Sequence, residues 1–336
     1  MKKNNRIILN LFILVILLLN LIFPKQVFAA EEKNQEIPDY NSMMLINALI
    51  PGHAQFKLGQ EKDGYLYLSS IPVSIIGQTL LFLYFWDNKK TWNPRTENNK
   101  TYLTQYETQN ISKKWMLYAG LTISIYATLI SSYSSYSAHR DFTDKFAPSN
   151  LKTGKENLSE LIFSPFKAEN IFTWDFFPVF PITVISSVQG SDFQSIGKFF
   201  TKQNVPFMGF NVNPIAGFGL NLLATVLLVL ANASWEEIMY RGLKLEQSGV
   251  VSSSLSFGLA HIGNMLLPDT SVEDTLLQTG FATLFGFYAA NRTMANNYDF
   301  RRMIALHFWH NVLSSSINYM VKPENNLFVI NYSLKF

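Results

Sequence analysis

The chain has 336 residues, 48% of them hydrophobic and only 15% charged, where average soluble chains carry roughly 25% charged residues. Its net charge of +3 is small and scattered, which gives nucleic acid no basic face to bind. The absence of cysteine excludes disulfides, thiolate metal sites, a cysteine nucleophile and a lipid anchor on cysteine. What remains is an expectation of an all-α protein, a polytopic transmembrane helix bundle with sizeable polar loops.

Lys2, Lys3 and Arg6 precede an apolar run from Ile7 to Phe23, and Val27-Phe28-Ala29-Ala30 follows before Glu31. A basic start, an apolar middle and small residues at the end predict a signal peptide over residues 1–30. Residues 31–140 read as an N-terminal helical membrane unit of unknown role. Within it, Pro51-Gly52 and Gly59 break the chain before a span at about Tyr65–Trp86, and a second span covers about Trp115–Tyr136. The polar loop between them, Asp87–Lys114, holds Lys89, Lys90, Arg95, Lys100, Lys113 and Lys114. The positive-inside rule places that loop in the cytoplasm, which agrees with an outside N-terminus after signal-peptide cleavage. The stretch Pro51-Gly52-x-x-Gln55-Phe56-x-x-Gly59 weakly resembles the opening of a bacterial membrane family, and that likeness implies no role. His53 within it reads as an ordinary polar contact at a helix break.

Residues 141–170 are polar and read as a linker. A second unit, 171–322, opens with an apolar stretch kinked by Pro178 and Pro181. Pro214 starts a long helix predicted to run to Arg241, and further spans cover Val250–Leu267, Leu276–Ala290 and Met303–Val321. Residues 323–336 form a tail with no assigned role.

Three polar intrusions sit on these spans. Ionisable groups at membrane depth face a protein interior or a cavity and point to function. The first is Trp235-Glu236-Glu237-Ile238-Met239-Tyr240-Arg241. Glu237 and Arg241 are helix neighbours at four-residue spacing and can pair, while Glu236 is turned about 100° away and kept for another task. Phe257 and His261 share a face by the same spacing, as do His307 and Asn311. Converging, these faces would gather a carboxylate, two imidazoles and a carboxamide. Such a set suits amide hydrolysis: a glutamate takes a proton from water, histidine assists, and N–H groups hold an oxyanion. It equally offers ligands to a divalent metal such as zinc, whose Lewis acidity would generate hydroxide. The residues leave both schemes open. His310, Asn232 and Asn264 flank the motifs and read as structural.

In order, Glu236-Glu237-x-x-x-Arg241, Phe257-x-x-x-His261 and His307-x-x-x-Asn311 resemble the three motifs of the CAAX protease and bacteriocin-processing (CPBP, or Abi) family of intramembrane endopeptidases. The likeness covers about residues 170–322. It implies Glu236 as general base and His261 as its assistant. It implies His307 and Asn311 as oxyanion binders, with Glu237 and Arg241 orienting the site. In the metalloprotease description of the family, Glu236, His261 and His307 would be the metal ligands. The implied partners are membrane lipid and a peptide or membrane-protein substrate, and the implied location is a bacterial cytoplasmic membrane. The competing expectation is a non-enzymatic membrane immunity or scaffolding protein on the same fold.

Overall fold

The computed structural model describes residues 37–87, 90–97, 99–106, 113–150, 152, 154, 156–188, 193–266, 270–321 and 323. The expected signal peptide and most of the C-terminal tail lie outside the described residues.

Helices dominate, and several begin where the sequence supplies a cap. Asp39 accepts from Ser42 N at 2.9 Å and starts α1, Tyr40–Leu49. Two short helices, α2 (His53–Lys57) and α3 (Glu61–Leu68), lead into α4, Ser70–Asp87. The turn between α1 and α2 is held from inside. Asn47 Oδ1 accepts from the backbone N–H groups of Gly52 and Ala54 at 3.1 and 3.0 Å, and Gln55 donates to Ser134 O at 2.8 Å. Gly52 adopts φ 94° there, against the backbone of Gly64, so no larger residue fits. The Pro51–Gln55 stretch is thus a buried structural turn.

The loop after α4 is not irregular. Its described residues form an antiparallel ribbon, β1 (Lys90–Glu97) with β2 (Lys100–Tyr106), in which Arg95 faces Tyr102. Asn99 supplies the positive φ of 60° that a tight hairpin turn needs, and the Thr101-Tyr102-Leu103-Thr104 pattern suits a strand. This corrects the all-α expectation in detail. A second small ribbon, β3 (Val205–Phe207) with β4 (Phe210–Val212), turns through Met208 and Gly209, both at positive φ.

Long helices carry the rest. These are α5 (Lys114–Phe146), α10 (Pro214–Glu237), α11 (Leu245–Ala260), α12 (Val272–Ala295) and α13 (Arg301–Val321). Shorter α6 (Leu158–Ile162), α7 (Ala168–Ile171), α8 (Phe176–Val188) and α9 (Phe193–Phe199) lie between α5 and β3. Pro214 stands at the first turn of α10, where its missing N–H costs nothing, and Asn213 accepts from Ile215 N at 2.9 Å.

Among the described residues, three helical stretches are long and apolar enough to cross a membrane: Glu61–Trp86, Lys114–Phe146 and Pro214–Met265. Only 17% of the apolar window of the first is buried within the protein, so most of that surface needs an apolar medium outside it. The third is not one rod. Gly249 has φ 76° and ψ 179°, a kink within α11, and beyond it Ser253 Oγ donates to Tyr240 O at 2.6 Å.

The two predicted units share one core. Tyr67, Leu129, Tyr133 and Tyr136 of the first pack with Ala231, Ile238, Phe300 and Ile304 of the second. Leu161, from the predicted linker, is fully buried in the same cluster, and Asn157 and Glu160 form a reciprocal cap on α6. The segment 141–170 begins as the last turns of α5 and then packs as part of the fold.

Candidate active site

The site is built where α10 ends. Glu236 and Glu237 close that helix roughly 33 Å along its axis from Pro214 at 1.5 Å per residue. The next seven residues, Ile238–Lys244, form a π-helical turn. Such turns widen the helix and recur at functional sites. Here it holds Arg241 and Gly242 fully or nearly fully buried.

Glu237 and Arg241 are both at 0% exposure, and Glu237 Oε2 lies 3.1 Å from Arg241 Nε. The contact is a charge pair rather than an aligned hydrogen bond, since none of the three guanidinium nitrogens has a hydrogen-bond acceptor among the described residues. The rest of the cation is met by aromatic faces: Cζ stands 4.2 Å from the centre of the Phe257 ring and 5.8 Å from that of Phe285.

α13 brings His307 to the other oxygen of the same carboxylate, with His307 Nδ1 2.9 Å from Glu237 Oε1. A carboxylate paired with Arg241 only accepts, so Nδ1 carries the proton and donates. The other ring nitrogen is Nε2. This nitrogen faces Glu236 Oε2 at 3.6 Å, beyond hydrogen-bond range, and Oε2 itself has no hydrogen-bond partner. The other oxygen, Oε1, accepts from Asn232 Nδ2 at 3.2 Å, and Asn232 Oδ1 in turn accepts from Trp235 Nε1 at 3.1 Å.

Asn311 stands one turn beyond His307 and is 3% exposed; neither its Oδ1 nor its Nδ2 has a hydrogen-bond partner among the described residues. His261 sits at the C-terminal cap of α11. Its Nδ1 lies 2.9 Å from Phe257 O, an acceptor, so Nδ1 is again the protonated nitrogen. His261 meets the rest of the site through Phe257, whose ring centre is 5.1 Å from the His261 ring and 5.9 Å from His307.

The structure thus brings together Glu236, Glu237, Arg241, Phe257 and His307 directly, and sets Asn311 and His261 at their edges. Among the described residues, no three His, Asp or Glu side chains form a group that could hold a metal ion.

His310 and Asn264 each hold a hydrogen bond to a neighbouring helix. His310 Nδ1 is 2.6 Å from Thr183 Oγ1, and Asn264 Nδ2 donates to Gln278 Oε1 at 3.0 Å. Two contributors were not legible as such. Asn232, one turn before Glu236, gives a faint signal as a carboxamide in an apolar run. Phe285 gives none, because an aromatic in an apolar helix reads as core.

Comparison with protein families, with characterised proteins and with solved structures returns no match. The CPBP likeness therefore rests on the motif residues and their ordered spacing.

Proposed function

We infer that the chain is an intramembrane endopeptidase of CPBP type, working in a bacterial cytoplasmic membrane on a membrane-associated peptide or protein. One observation carries this reading. Glu236 Oε2 is buried, has no hydrogen-bond partner among the described residues, and faces His307 Nε2 at 3.6 Å. A buried carboxylate oxygen in that position calls for a small donor, and water is the smallest. Beside them Asn311 supplies a buried N–H donor with no partner.

The chemistry follows from this placement. Glu236 takes a proton from the water, whose oxygen attacks the scissile carbonyl carbon. The carbonyl oxygen becomes an oxyanion and accepts from Asn311 Nδ2. The C–N bond then breaks as protonated Glu236 returns its proton to the leaving amine. His307 accepts the water's second hydrogen and so aims the attacking lone pair. Its tautomer is set by Glu237, which Arg241 holds in place. The resemblance makes His307 an oxyanion binder; the scheme here uses neutral His307 as an acceptor and assigns the oxyanion to Asn311. Acid–base assistance of this kind contributes about 10²–10⁴ in rate, and one oxyanion donor about 10²–10³.

The test is cleavage of a fluorogenic peptide library by detergent-purified protein, wild type beside Glu236→Gln, with and without chelator. Cleavage lost in the variant supports the reading. Equal cleavage by both would falsify it. Loss with chelator alone would move the source of hydroxide to a metal.

A further inference from the structure

The Glu236–His307 contact is one end of a longer polar line between α10 and α13. The two helices run antiparallel, touching at Glu237–His307 and again at Thr225–Ser315, where Oγ1 and Oγ lie 3.2 Å apart. On α13, His307, Asn311 and Ser315 are spaced by four, so each step turns the face by only about 40°. Both ends of that row touch α10, so Asn311 between them faces it too. On α10, Asn221, Thr225, Asn232 and Glu236 fall within about 60° of one face by the same count. Asn221 and Thr225 are 0% and 2% exposed, whereas their neighbours Leu223 and Leu227 stand on the outer face. The hydroxyl pair thus lies about 12 Å along the bundle from His307, with an unpartnered carboxamide midway.

We propose that this seam is a water path, through which solvent reaches Glu236 past Thr225–Ser315 and Asn311. The proposal draws its purpose from the hydrolytic reading, since a peptidase inside a bilayer consumes one water per cut. Its physical basis is separate. Polar side chains between membrane helices can satisfy one another as interhelical contacts, and Thr225 and Ser315 do so in part. Asn311 does not: two donors and a carbonyl oxygen are left over, and leaving them dry costs free energy that hydrating them recovers. The ligand of the seam is therefore a small species that both donates and accepts.

The chain has no cysteine, so single cysteines report water access without background. Thr225→Cys and Ser315→Cys would be treated with methanethiosulfonate ethylammonium and, separately, with silver ion, in the full-length protein in nanodiscs. Leu223→Cys, two positions away on the outer face, is the dry control, and Asn211→Cys on exposed β4 is the wet one. A thiol reacts as thiolate, which forms only where water reaches it. The expected result is that both seam cysteines react with silver at least about tenfold faster than Leu223→Cys. If both react as slowly as Leu223→Cys in folded protein, yet fully after denaturation, the seam is dry and the proposal falls. The readout does not involve cleavage. An inactive protein with a reactive seam keeps the water path and loses the peptidase; an active protein with an inert seam does the reverse.

Discussion

Glu237 and His307, 70 positions apart, meet at 2.9 Å in a fully buried contact, and that contact sets which nitrogen of His307 faces Glu236. The neighbouring carboxylates therefore differ in kind. Glu237 is committed on both oxygens, one to His307 and one to Arg241. Glu236 is anchored on one oxygen by Asn232 and presents the other.

This difference predicts opposite outcomes for two matched substitutions. Glu236→Gln removes the proton acceptor but no buried charge pair, so cleavage falls by about 10²–10⁴ while the thermal midpoint stays near wild type. Glu237→Gln leaves Arg241 buried without its counter-charge and costs about 3–5 kcal/mol. The double substitution Glu237→Leu with Arg241→Met restores part of the stability, because the charge pair goes as a whole while the buried His307 Nδ1–H loses its acceptor, and it does not restore activity. Peptide cleavage and detergent melts on the four proteins measure both axes.

Much of this was legible in the sequence, and the reasons are geometric. The split between Glu236 and the Glu237–Arg241 pair follows from helix spacing, and so does the shared face of His307 and Asn311. What spacing could not give was the π turn at Ile238–Lys244 and the kink at Gly249. Both change the local count of residues per turn, on which every such argument rests. The shared core was hidden for another reason. Tyr67, Tyr133 and Tyr136 look like lipid-facing aromatics until Ile238 and Phe300 are seen against them. The hairpin at Lys90–Tyr106 was masked by its charges, which spoke for topology rather than structure. Those charges dock it: Lys100 Nζ lies 2.7 Å from Asp274, and Thr101 N donates to Glu273 at 2.8 Å.

Asn311 gives a second prediction, on sign. A buried carboxamide that bonds water rather than protein adds little net stability, so Asn311→Leu, close in volume, leaves stability near wild type or raises it. Activity falls by about 10²–10³ if Nδ2 holds the oxyanion. A variant that loses stability instead would mean the carboxamide is bonded in the folded protein, and the oxyanion role would have to be dropped. Melting temperature and kcat on one preparation decide it.

At the start of α13, outside the spans, Asp299 sets a pH dependence. Burial pushes its carboxyl up, but hydrogen bonds from Arg301 N, Nε and Nη2 at 3.0, 2.9 and 2.7 Å and the nearby charges outweigh this, leaving it below its ordinary value. A carboxyl depressed in the folded state stabilises the fold above its unfolded pKa, about 3.9, and loses that contribution as pH falls through the lower folded value. Asp299→Asn should therefore melt below wild type at pH 7 and at pH 5 alike. The gap should close only under more acid conditions, below about pH 4. A gap that closes between pH 7 and pH 5 would contradict this.

The last prediction concerns what holds Phe257, and through it Arg241 and His307. α11 and α12 cross closely at Gly258 and Gly286. A Cβ at Gly258 would collide with Thr283 Oγ1 and stand 2.9 Å from Thr283 Cβ, and one at Gly286 would stand 3.0 Å from Ser254 Cα. Small residues at such crossings let membrane helices approach. In a helix, alanine is otherwise better than glycine by about 1 kcal/mol, so Gly258→Ala would stabilise if the crossing were loose. The contact predicts the reverse: overpacking costs about 1–3 kcal/mol, and α11 is pushed away with the Phe257 ring. Activity should then fall further than stability alone explains, because Phe257 lies against Arg241 and His307. Adding Thr283→Gly removes both clashing atoms and should return activity toward wild type, although a second helical glycine lowers the melting point again. Rescue of cleavage without rescue of the melting point would show that the crossing sets the position of Phe257; failure of both would place its role elsewhere.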